Sequence, residues 1–118
     1  DAHYNLAGAY VEKGWYEEAA NEYAEALGLN PNHVYSLYNL GCVHFRQGSY
    51  EEAAAQWEQV VKMRPRYLDA LYNLALAYEM MEDSRSREVW QRFIEEAEKA
   101  DELGEVVEHM KARLSQVE

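Results

Sequence analysis

The sequence predicts an all-α protein built from stacked antiparallel helix pairs, about three of them, closed by a further C-terminal helix. Three observations carry that prediction. A string of side chains returns every 34 residues: Tyr4, Tyr38 and Tyr72, and beside them Asn5, Asn39 and Asn73. Each unit holds two stretches whose apolar residues recur at three-to-four spacing, the pattern of a helix with one buried face. Glycine and proline fall between those stretches, where the chain must reverse.

The first unit, approximately residues 1–33, sets the register. Leu6, Ala9 and Tyr10 mark its first helix, and Ala19, Tyr23 and Ala26 its second. Gly14 breaks the pattern between them, and Pro31 closes the unit. The second unit, approximately 34–67, repeats this: Gly48 matches Gly14, Trp57 matches Tyr23, and Pro65 matches Pro31. Ser49 followed by Glu52 predicts a capping box at its second helix. The prolines are placed for the first turn of the next helix. Small residues recur at Ala7, Gly41 and Ala75, and again at Ala19 and Ala53, with bulky aromatics one or two turns away. Small against large is how antiparallel helices approach closely.

The third unit, approximately 68–100, departs from the pattern. No glycine follows Tyr78, and Asp83 or Ser84 is placed to cap the next helix. Trp90 stands 33 residues after Trp57, which predicts a turn one residue shorter. Ser86 then takes the small site, and Phe93 and Ile94 follow Val60 and Val61. In residues 101–118, Leu103, Val107, Met110 and Leu114 form one apolar stripe. Glu108 occupies the site held earlier by Ala7, Gly41 and Ala75. A carboxylate there keeps another helix away, so this last helix is expected to cap the stack. Asp1 enters the first helix with no capping device before it, which leaves the N-terminal face uncapped and the chain readable as part of a longer array.

Composition narrows the function. The 118 residues are one domain's worth, with 22 acidic residues against 11 basic ones and a net charge of −11. Such a surface repels phosphate backbones and anionic membranes, so neither nucleic acid nor membrane is an expected partner. No apolar run reaches membrane-span length. The single cysteine, Cys42, excludes an internal disulfide and leaves the compartment open, with the cytoplasm slightly favoured. The four histidines are scattered, and Cys42 and His44 point to different helix faces. No metal site, cofactor or catalytic constellation is assembled, and the protein is expected not to be an enzyme.

The residues Leu6-Ala7, Tyr10, Ala19, Tyr23, Ala26 and Pro31, then Leu40-Gly41, Ala53, Trp57 and Pro65, then Leu74-Ala75 and Tyr78, resemble the tetratricopeptide repeat (TPR). The resemblance spans essentially the whole chain. It departs where the family's early tryptophan is His3, Leu37 and Leu71, and where the third unit lacks its turn glycine and closing proline. It implies a right-handed superhelix of helix pairs that binds a protein or peptide in a concave groove lined by first helices. On this register the groove residues are Tyr4 and Asn5; Tyr35, Tyr38, Asn39, Cys42 and Arg46; and Asp69, Tyr72, Asn73 and Leu76, with Gly8, Glu12 and Met80 on the same stripes.

An asparagine amide offers donor and acceptor together and can hold a peptide backbone without reading its sequence. The same ladder of asparagines and tyrosines could equally serve helix packing, and both readings stand. One subclass of the family resembles a carboxylate clamp built from Lys and Arg. Its basic sites fall here on Tyr4, Asp69 and Asn73, with only Asn39 fitting, and Asp69 repels a carboxylate. The acidic second helices (Glu17, Glu18, Glu22 and Glu25; Glu51, Glu52 and Glu58) read as a solvated outer face. Trp15, in a turn that needs no aromatic, is a candidate interface residue. Two functions follow: a peptide-binding module, or a structural module that stacks on further repeats or on another copy as a homo-oligomer.

Overall fold

The computed structural model describes residues 1–100 and 104–117. These form helices and no strand: α1 Ala2–Glu12, α2 Tyr16–Leu29, α3 Val34–Arg46, α4 Tyr50–Met63, α5 Leu68–Met80, α6 Arg85–Ala100 and α7 Gly104–Val117. Each helix packs on its neighbours in sequence, so α1/α2, α3/α4 and α5/α6 stack as hairpins with α7 laid on α6. The result is elongated, 43 × 27 × 23 Å. Among the described residues no helix is long and apolar enough to cross a membrane.

The core follows the spaced apolar positions. Leu37 and Leu40 of α3, and Leu71 and Leu74 of α5, are buried against the preceding hairpin. Burial of each such leucine contributes about 2 kcal/mol. Trp57 and Trp90 are both buried, in line with the 33-residue spacing. At the far end Val107 and Met110 are buried and Leu114 packs beside them, whereas Glu108 is exposed. Leu103 lies outside the described residues.

The three hairpin turns have one geometry. Trp15, Ser49 and Asp83 each donate their backbone N–H to the carbonyl five residues back, at Tyr10, His44 and Tyr78, over 2.8–2.9 Å. The residue before each is left-handed: Gly14 at φ 78°, Gly48 at 80° and Glu82 at 54°. This is the helix-ending motif that favours glycine. The 34-residue register therefore persists through Glu82, and the missing residue is lost later, between Asp83 and Trp90.

Four expectations need correction. Ser49 sits at the N-cap of α4 but makes no side-chain cap bond, and Trp15 at the start of α2 has nearly the same backbone, φ −89° and ψ 74° against −88° and 70°. That ψ turns the hydroxyl away from the helix end, so the glycine turn sets the entry and the capping box does not. Pro31 and Pro65 lie inside four-residue turns closed by His33 N–H to Asn30 O and Tyr67 N–H to Arg64 O, ahead of the next helix and not in its first turn. Asp1 does cap α1: its Oδ1 accepts from His3 N–H at 2.8 Å and Tyr4 N–H at 3.4 Å. The acidic outer face is not wholly solvated, because Glu22 meets His3 Nδ1 at 2.6 Å and Glu58 accepts from the Tyr78 hydroxyl. Asp83 is a cap as expected, accepting from Arg85 N–H at 2.9 Å.

Candidate functional site

The candidate site is the inner side of the stack, built by α1, α3 and α5. Tyr4, Tyr38 and Tyr72 are half-buried, each with its ring against an aromatic of its own hairpin. Tyr4 lies 5.9 Å from Tyr23, Tyr38 lies 6.4 Å from Trp57, and Tyr72 lies 5.2 Å from Trp90. The asparagines cross from one hairpin to the next. Asn39 Nδ2 donates to the Tyr4 hydroxyl at 3.3 Å, and Asn73 Nδ2 donates to the Tyr38 hydroxyl at 2.8 Å. One amide N–H of each is thus used by the fold, while the amide oxygen and the second N–H stay available. Asn5 is exposed. The ladder stops at α7, where position 106 is a valine.

A hollow of about 440 Å3 opens between α1 and α3, lined by Tyr4, Asn5, Gly8, Ala9, Glu12, Tyr23 and Asn39. A side chain added at Gly8 would meet nothing within 4 Å. Further along, Tyr35 is half exposed, with its ring edge-on to His33 at 6.1 Å. Tyr67 stacks on Tyr38 at 5.2 Å. Tyr67 was not among the residues the first-helix stripes selected, because it precedes α5 in the turn. The signal available in the sequence was its aromatic counterpart His33, 34 residues earlier.

Charge and burial set the chemistry of this wall. Burial first, and then the Asp69 carboxylate, push the Tyr67 phenol up. Burial first, followed by Cys42 and Asp69, does the same to Tyr38. Burial also raises the Cys42 thiol, so it stays protonated at neutral pH and is a poor nucleophile. Arg46 turns toward the start of α2, donating to the Tyr16 hydroxyl at 3.1 Å. Asp69 is exposed near the start of α5; Leu76 is half-buried and Met80 exposed on the same helix. Trp15 is apart from the groove. It leans on Tyr10 at 5.8 Å, with Lys13 Nζ 5.6 Å from its ring, and remains half exposed. Among the described residues no group of three metal-ligating side chains converges.

The family model for the TPR repeat matches residues 7–48 and 43–81, and one for the tetratricopeptide repeat matches 69–99. The chain belongs to the tetratricopeptide repeat family. No curated protein sequence matches it. Among solved structures, this TPR chain is similar to MamA at 24% identity and a TM-score of 0.81, over 85% of this chain and 59% of that one. It therefore spans a little over half the length of MamA. The TPR2B domain of yeast Sti1, solved in a complex with pHsp70, matches over 100% of both chains at 16% identity and a TM-score of 0.81. The first TPR of Spaghetti (RPAP3), bound to the HSP90 peptide SRMEEVD, matches at 16% identity and a TM-score of 0.80, over 97% of this chain and 91% of that one. At these identities the shared property is the fold.

Proposed function

We propose that this TPR chain is a non-catalytic protein-interaction module that holds an extended peptide segment of a partner along α1, α3 and α5. The observation that carries this reading is the hollow of about 440 Å3 between α1 and α3, bordered by amide and phenol groups. Concave, partly apolar sites with a few polar groups are where ligands settle. The Sti1 and RPAP3 domains lend support, since each was solved with a chaperone segment or peptide. The acidic-tail specificity of a carboxylate clamp is not carried over, because Tyr4, Asp69 and Asn73 supply no cation at its basic positions.

Gly8 offers the test. Gly8→Tyr fills open space. It is expected to raise stability by about 0.5 kcal/mol through helix propensity. The same substitution weakens peptide binding about tenfold, read by fluorescence anisotropy against labelled basic, neutral and acidic peptides. Unchanged affinity for every peptide that binds the parent chain would rule out the groove.

A second reading is favoured by one contrast. Leu6 is 42% exposed, whereas its counterparts Leu40 and Leu74 are 7% and 2% exposed beneath the preceding hairpin. Tyr10, one turn on, and Trp15 extend this strip. We infer that it accepts another helical hairpin, from a further repeat or a second copy. Light scattering that rises with concentration and is abolished by Leu6→Glu supports it; a monomer at all concentrations excludes the second copy.

A further inference from the structure

We propose that the groove's occupant is a cationic extended peptide, with an arginine or lysine side chain seated between Tyr35 and Tyr67 against the Asp69 carboxylate; this rests on the groove reading above. The geometry is that of a cation receptor. Tyr35 presents half its surface to solvent, and Tyr67 is stacked on Tyr38, which fixes its plane. Asp69 follows Tyr67 by two residues, and its carboxylate is near enough to bear on the phenols of both Tyr67 and Tyr38. Tyr35 and Tyr4 act on the Tyr67 phenol too, so four tyrosines and one carboxylate converge.

The wall lacks an internal counter-charge. Among the described residues neither Asp69 nor Glu12, the acid that borders the hollow at α1, has an ion-pair partner. Arg46, the groove's own cation, is held at Tyr16. A carboxylate beside aromatic faces attracts a guanidinium or ammonium group through both the charge and the ring quadrupole. An acidic segment meets repulsion at the same place, which separates this groove from one built to hold a terminal carboxylate.

Fluorescence anisotropy with three labelled peptides of equal length tests this. One is a Gly-Ser chain carrying arginines, one has glutamines in their place, and one has glutamates. The arginine peptide is expected to bind tightest. Asp69→Asn weakens it about tenfold and leaves the glutamine peptide unmoved. Tyr35→Ala, at an exposed ring, weakens it about fivefold. Glu51→Gln removes one charge from the outer face and leaves the affinity in place. The proposal is overturned by a glutamate peptide that binds tightest, by Asp69→Asn without effect, by an equal loss at Glu51→Gln, or by binding of none of the three. In the first three cases, loss of binding in Gly8→Tyr keeps the groove and rejects only the cationic occupant. If Gly8→Tyr moves none of the peptides that bind, the groove reading fails as well.

Discussion

The second and third hairpins share a register and differ in what fills it. In the second, Gly41 lets the Trp57 indole lie against the backbone, and Trp57 Nε1 donates to the Tyr38 carbonyl at 3.0 Å. A Cβ at Gly41 would stand 2.5 Å from that nitrogen. In the third, the equivalent small residue is Ala75, and Trp90 Nε1 donates to the Glu79 carboxylate instead. Phe45 stacks on Tyr50 at 5.0 Å and on Trp57 at 5.7 Å. The matching positions in the third hairpin are Glu79 and Ser84, and a cavity of about 430 Å3 borders them, floored by Trp90, Met110 and Leu114. Arg113 of α7 pairs with Glu79 and sits 5.4 Å from the Trp90 ring. The difference teaches that a repeat can exchange aromatic filling for a polar junction and still keep its backbone turn.

The contrast can be broken at several points. Trp57→Ala is expected to cost about 4 kcal/mol in urea denaturation, and Trp90→Ala about 3 kcal/mol, since open space already borders Trp90. An equal loss at both would mean that the two junctions are packed alike. Gly41→Ala drives a methyl into Trp57 and costs about 2 kcal/mol despite its better helix propensity. Ala75→Gly removes no clash and costs about 1 kcal/mol through propensity alone. Glu82→Gly relieves a left-handed backbone and gains about 1 kcal/mol, while Gly48→Ala imposes that strain and loses a similar amount. Thermal melts of the pair would show opposite shifts in midpoint.

The smallest effect concerns Asp83. Arg85, through its side chain first and its backbone N–H second, holds this carboxyl down at about 2, below its ordinary 3.8. A depressed folded value means that the contribution is present above about 3.8 and is lost as pH falls through about 2. Asp83→Asn should flatten the acid limb of stability against pH in that window, and an unaltered limb would show that the pair contributes nothing there.

The helix pairs, the Gly14 and Gly48 turns, the Trp90 alignment and the outward Glu108 were legible because each follows from spacing along one strand of sequence. Glu82 was harder to see. Its chemistry gives no turn signal, although counting 34 on from Gly48 lands on it. Ser49 carried a capping signature that the backbone overrides, since the hydroxyl needs an extended ψ to reach the helix end. The bonds of Asn39 to Tyr4 and Asn73 to Tyr38 depend on the rotation between successive hairpins, which no one-dimensional period records. Tyr67 escaped because groove stripes were drawn on helices alone, and the turn after Pro65 also feeds the wall.

Those two amide-to-phenol ties carry a mechanical consequence. They bridge junctions on the inner side, so straightening the bow stretches them, at about 1 kcal/mol for each bond broken. Flexing in the opposite sense leaves them intact. Stiffness is therefore directional, and the junction to α7, with valine at position 106, has no such tie to resist the load.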